Sequence, residues 1–148
     1  MTRLLGVDVG ERRIGLAVAD IDTTSVRPLA TIRRADPQRD GLTLARLAQE
    51  QRIDELIIGL PLNADGSEGA QAQLTRQWAD SIAPYVARPI VWRDERLTSE
   101  AAEQRIGMRS RGASGGPPSA AARNARRARI DREAAANIVQ AEMDARKR

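Results

Sequence analysis

The sequence predicts an α/β domain built on one mixed sheet of five strands, three antiparallel and then parallel ones, flanked by helices. Three observations carry this. Leu4 to Val9 and Ile14 to Ala19 are apolar runs separated only by a short turn, so they pair as an antiparallel hairpin. Glu55 to Gly59 and Pro89 to Trp92 are further strand-like runs, each preceded by a helical pattern, as β-α-β crossovers require. The 148 residues suit a single domain with a real core.

The elements follow in order. Leu4 to Val9 ends at Gly10, Glu11-Arg12-Arg13 turns, and Ile14 to Ala19 returns. Leu29 to Ile32 is a third strand, entered after Pro28. Gly41 to Gln51 carries Leu42, Ala45, Leu47 and Ala48 at helical spacing. The fourth strand, Glu55 to Gly59, stops before Pro61, and Asn63 to Gly69 is a turn-rich loop around Asp65-Gly66. A helix from about Ala70 to Val86 leads to the fifth strand, which runs into Arg93-Asp94-Glu95. Thr98 or Ser99 caps a helix reaching Ile106. Gly112 to Ser119 (GASGGPPS) belongs to a flexible basic linker at about 107–122, and a last helix runs from about Ala120 to Arg146. We read 1–148 as one domain with no internal repeat.

Composition excludes several chemistries. The chain has no Cys and no His, which removes disulfides, thiolate zinc sites and mechanisms that need a histidine base. A bound metal would be held by oxygen, which selects Mg²⁺ or Mn²⁺. The N-terminus does not read as a signal peptide and no apolar run approaches membrane-spanning length, so a cytoplasmic protein without a membrane partner is expected.

The net charge of +4 is unevenly spread. Residues 105–132 carry eight Arg against Asp131, giving +7 in that stretch and −3 elsewhere. Arginine forks onto phosphate oxygens, so the segment points to a nucleic acid. Arg123, Arg126, Arg127 and Arg129, with Arg96 and the Arg12-Arg13 turn, are the candidate nucleic-acid contacts.

Three acids sit where a purely structural sequence would avoid them. Asp8 interrupts an apolar strand, on the face of Leu4 and Gly6; burying it costs several kcal/mol without compensation. Its ordinary alternative is to cap the Gly10 turn. Asp94 and Glu95 end the fifth strand on opposite faces, so at most one can join a site. Asp131 begins an apolar helix stripe continued by Ala134, Ala135, Ile138, Val139 and Glu142. Gathered at one end of a sheet, such acids need a divalent cation, and paired Mg²⁺ ions suit phosphodiester cleavage.

These residues resemble a known family. Leu5-Gly6-Val7-Asp8-Val9-Gly10 through Arg12-Arg13-Ile14-Gly15-Leu16-Ala17, Gly59-Leu60-Pro61-Leu62-Asn63 with Asp65-Gly66-Ser67-Glu68-Gly69, Asp94-Glu95-Arg96-Leu97-Thr98-Ser99, and Ile130-Asp131 with Ala134-Ala135 and Ile138-Val139 together are similar to the motifs of the YqgF/RuvX family, in the family's order. The basic linker departs from it, with Arg where the family commonly has Lys. The resemblance implies an RNase H-like fold related to Holliday-junction resolvases. It implies a nuclease that matures the 5′ end of precursor 16S rRNA in ribosome biogenesis or resolves branched DNA, as monomer or homodimer. It carries over Asp8, Glu95 and Asp131 as catalytic, metal-holding acids, with Asp94 a further possible ligand. Two rival classes remain at this stage: an actin-like ATP-binding protein, whose phosphate loop opens in a similar way, and a non-catalytic RNA-binding module.

Overall fold

The computed structural model describes residues 2–95 and 119–147. Its strands are β1 (Arg3–Val9), β2 (Arg13–Asp20), β3 (Ser25–Arg33), β4 (Glu55–Leu60) and β5 (Ile90–Asp94), and its helices are α1 (Pro37–Glu50), α2 (Ala70–Val86) and α3 (Ala120–Arg146). The strands form one sheet in the order β3-β2-β1-β4-β5. β1 and β3 both run antiparallel to β2, whereas β4 is parallel to β1 and β5 to β4. This is the mixed sheet the sequence predicts.

Alternation along the strands divides the core in two. Leu5, Val7, Val9, Ile14, Leu16 and Val18 pack with Leu44, Trp78 and Ile82 of α1 and α2. Leu4, Ala17, Ala19 and Ile57 pack on the other face with Ala135, Ile138, Val139 and Met143 of α3. The second face is lined by small residues, and α3, which crosses all five strands, lies close against it. A side chain added at Gly6 would strike the Ala135 carbonyl and Val139, and one at Gly15 would strike the backbone of Asp131. Close approach of helix to sheet is what these glycines permit.

Several boundaries differ from the expectation, each for a visible reason. β3 starts at Ser25 and holds Pro28, because it is an edge strand and its pairing shifts register between Leu16 and Ala17, opposite Pro28 to Ala30; both circumstances tolerate proline. α1 starts at Pro37, not Gly41: Asp36 caps it by accepting from the Arg39 amide at 2.9 Å, and Pro37 occupies the first turn. Its buried face is Asp40, Gly41, Leu44 and Ala48, while Leu42 is exposed. Buried Asp40 is satisfied by Trp78 Nε1 at 3.1 Å and the Ala35 amide at 2.9 Å, which ties α1 to α2. The expected linker ends earlier than residue 122. Ser119 caps α3 by accepting from the Ala122 amide at 3.1 Å, and the alanines that follow are strong helix formers. The rest of that linker, and the helix expected from Thr98 to Ile106, lie outside the described residues. Among the described residues no helix is long and apolar enough to cross a membrane.

The approach of α3 to β2 is testable. Gly15→Ala places a methyl on the Asp131 backbone, so the helix must lift. Overpacking of this kind costs about 1–3 kcal/mol, and the urea midpoint should fall accordingly. An unchanged midpoint would mean that the helix does not lie so close.

Candidate active site

Three acids meet at the α3 face of the sheet. Asp8 pairs in register with Gly15, and Gly15 is where the Asp131 backbone comes down. Helix and strand thus bring the two acids together, and the charge of Asp131 contributes to raising the Asp8 pKa. Glu95 arrives from β5. Its amide donates to the Leu60 carbonyl at 3.2 Å, prolonging the pairing with β4 by one residue. Its side chain turns toward α3 into space that Gly59 leaves open; a Cβ at Gly59 would strike the Glu95 carboxyl and Ile138. Asp94 is exposed. The opposite-face argument holds, and Glu95 is the one that turns inward.

Burial and mutual repulsion act against ionisation here. Burial, first, and then the Asp131 charge raise the Asp8 pKa, while a hydrogen bond with Glu95 lowers it. Glu95 is pushed up to about 9, by burial first, then by the charge of Asp8, the hydrogen bond to Asp8, and Asp94. At neutral pH the Glu95 carboxyl therefore keeps its proton and donates it to Asp8. Asp131 is held differently: Arg13 Nε donates to its Oδ2 at 2.7 Å. Among the described residues, no three carboxylates stand ready as a cation cage. One arginine and one proton hold the acids together instead. The donor set itself is all oxygen, half-buried or buried, and mutually repulsive, which fits a hard divalent cation.

The basic residues separate. Arg12, Arg13 and Arg127, with Gly10, Glu11 and Asp131, line a cavity of about 460 Å³ beside the acids. A second cavity of about 310 Å³ shares those three arginines and extends to Thr31, Arg33 and Asn124. Arg123, Arg126 and Arg129 line neither cavity; they sit on the first half of α3, the helix that the sequence predicts. Arg96 lies outside the described residues. Sequence reasoning missed Arg33 and Asn124. The signal was present: Asn124, Arg127 and Asp131 recur at i, i+3 and i+7, one face of a helix.

Comparison with known proteins places this arrangement. A profile of the RuvX family, described as Holliday junction resolvase, matches residues 2–145. The chain belongs to the RuvX family. A relative from Anaeromyxobacter sp. (strain Fw109-5) is 40% identical over 144 residues, covering 97% of this chain and 98% of its own. One from Chloroflexus aurantiacus is 42% identical over 103 residues, covering 70% and 67%. Both are named, provisionally, as pre-16S rRNA nucleases. Among solved structures, Thermus thermophilus RuvC in complex with Holliday junction substrate aligns over 99% of this chain and 96% of its own, with TM-score 0.55 and 14% identity. The fowlpox virus resolvase in complex with Holliday junction DNA aligns over 99% and 100%, with TM-score 0.56 and 12% identity. At these identities the likeness establishes the RNase H-like fold. The RuvX family membership makes the chain a nuclease, a hydrolase.

The raised Glu95 pKa has a sign that can be checked. Between its ordinary 4.5 and about 9, the folded protein binds a proton that the unfolded chain has released. Stability in chelator is therefore full below that range and falls as pH rises through it. Glu95→Gln should flatten the fall, read as melting temperature against pH. A parent protein whose melting temperature rises from pH 5 to 9 in chelator would contradict this site.

Proposed function

We propose that this protein is a Mg²⁺- or Mn²⁺-dependent nuclease that trims the 5′ end of precursor 16S rRNA in the cytoplasm, with Asp8, Glu95 and Asp131 holding the metal. The observation that carries the reading is the meeting of these acids, two of them with raised pKa, from two strands and a helix of an RNase H-like fold. A purely structural site would not gather carboxylates whose charges oppose one another. The names of the relatives supply the substrate. Resolution of branched DNA is the second reading, favoured by the family description.

Bound by these acids, a divalent ion would supply positive charge for the phosphate and an activated water. The chain's own residues do the rest. Asp8 and Glu95 would hold the ion as carboxylates, for which Glu95 would have to lose the proton it keeps at neutral pH. Asp131 would hold the ion through the carboxylate that Arg13 now binds, and Arg13, which lines the adjoining cavity, would be placed to take a phosphate oxygen. α3 and the sheet keep the acids at fixed spacing, which is the main demand of phosphoryl chemistry.

The test compares cleavage of a precursor rRNA 5′ end, single-stranded DNA and a four-way DNA junction, with matched metals. Asp8→Asn and Asp131→Asn should each lower the rate by at least about a hundredfold, and chelator should abolish it. Asp8→Asn should not lower the melting temperature in chelator, since it removes repulsion. A drop would assign Asp8 to holding the Gly10 turn. Full cleavage by both variants would end the metal-site reading, and binding without cleavage would leave an RNA-binding module. Cleavage confined to the junction would move the substrate to branched DNA.

A further inference from the structure

The two arginine-lined cavities form one cleft. They share Arg12, Arg13 and Arg127, so the cleft runs from Asp131 to the edge strand β3, where Arg33 and Asn124 close its far end. Its walls are fixed. Thr31 Oγ1 donates to the Ala128 carbonyl at 2.6 Å and accepts from Arg132 at 3.2 Å, joining β3 to α3. Arg34 donates to the Gly10 carbonyl at 2.8 Å and holds the turn that carries Arg12 and Arg13. Among the described residues, Arg12, Arg33 and Arg127 make no ion pair with an acid. Their charge is available to a ligand.

The cleft has cations but no ring. The whole sequence contains two Trp, one Tyr and no Phe, and all three lie elsewhere. Trp78 is buried in the core under α1 and α2, Tyr85 packs on Gly41, and Trp92 lies beneath the Arg76 guanidinium, 4.9 Å from it. Proteins that hold single strands stack the bases on aromatic side chains, and that stacking offsets the cost of ordering a flexible strand. A paired helix needs no such return, because its phosphates are already regularly spaced.

We propose that this cleft seats the backbone of a base-paired stretch next to the cleaved bond, with Arg33 and Asn124 as positioning residues at its far end. The proposal rests on the nuclease reading for what happens at Asp131, but it is tested by binding alone, in chelator. The probes are a labelled RNA duplex and its separated strands, followed by anisotropy over a range of salt. The duplex should bind at least about tenfold more tightly than either strand. Arg33→Gln with Asn124→Ala should weaken duplex binding and lower the log–log salt slope by about 0.7 to 0.9 for the lost phosphate contact. Arg33→Lys with Asn124 intact should keep the slope. Arg46→Gln, which removes the same charge from α1 on the opposite face, should change neither. Melting temperatures of the variants separate lost contact from lost fold. Single strands bound as tightly as duplex, or a Gln–Ala variant with parental affinity and slope, would overturn the proposal. Failure to cleave with metal present would instead overturn the nuclease reading and leave the cleft standing.

Discussion

Everything at this site depends on how closely α3 lies on the sheet. The distance is set by the absence of side chains at Gly6 and Gly15, which receive the backbone of Ala135 and Asp131. Alanines at 134, 135 and 136 complete the contact from the helix side. A Leu-on-Leu interface, like the one that α1 and α2 make with the other face, would hold the helix axis farther off and leave Asp131 out of reach of Asp8. The helix is also pinned along its length. Arg146 makes two hydrogen bonds of 2.9 Å to Glu55 on β4 and one of 2.8 Å to Glu142, and Arg93 on β5 donates to the Ala141 carbonyl at 3.0 Å. Each such contact is modest alone. Together they fix the register of the helix on the strands and so the depth at which Asp131 arrives.

Close packing brings the acids together, and their charge then has to be managed. Two different substitutes do this without a metal. The Asp8–Glu95 pair keeps one proton between them, and Asp131 keeps an arginine from the adjoining turn. Neither is a deep trap. The proton would be lost to bulk water once a bound cation compensated the charge, and the Arg13 side chain, about a third exposed, could exchange one oxyanion for another. Stability given up to hold repelling groups in place is characteristic of sites kept for chemistry.

Much of this was legible in the sequence because it follows from period. Alternation put Asp8 with Leu4 and Gly6, and helical spacing put Asp131 on the stripe of Ala134, Ala135, Ile138 and Val139; both placements hold. The split between Asp94 and Glu95 was narrowed to one, but the choice was settled by Gly59 on the neighbouring strand, a long-range contact that periodicity does not contain. The grouping of the arginines was not legible for a related reason. Their number pointed to a nucleic-acid partner, but the fold also sorts them by helix face, so that Arg127 joins Arg12, Arg13 and Arg33 from distant segments at the cavities, while Arg123, Arg126 and Arg129 do not line them. The start of α1 was missed although Asp36-Pro37 announced it, since the apolar pattern begins only a turn later.

The same helix that delivers Asp131 to the acids presents Asn124 and Arg127 to the cleft, along a single face. In the proposed reading, the metal-holding acid and the backbone contacts therefore share one rigid body. A phosphate bound at Arg127 sits one helical turn from Asp131, and a rise of 1.5 Å per residue puts about 6 Å between those positions along the axis, close to the spacing of successive phosphates on a strand. Under that reading, binding energy gathered in the cleft would act through the same helix on the position of the bond facing the acids. On that reading, a domain with so few aromatic residues would owe its placement of a backbone to the glycine-lined seat of α3, and the arginines would only have to hold.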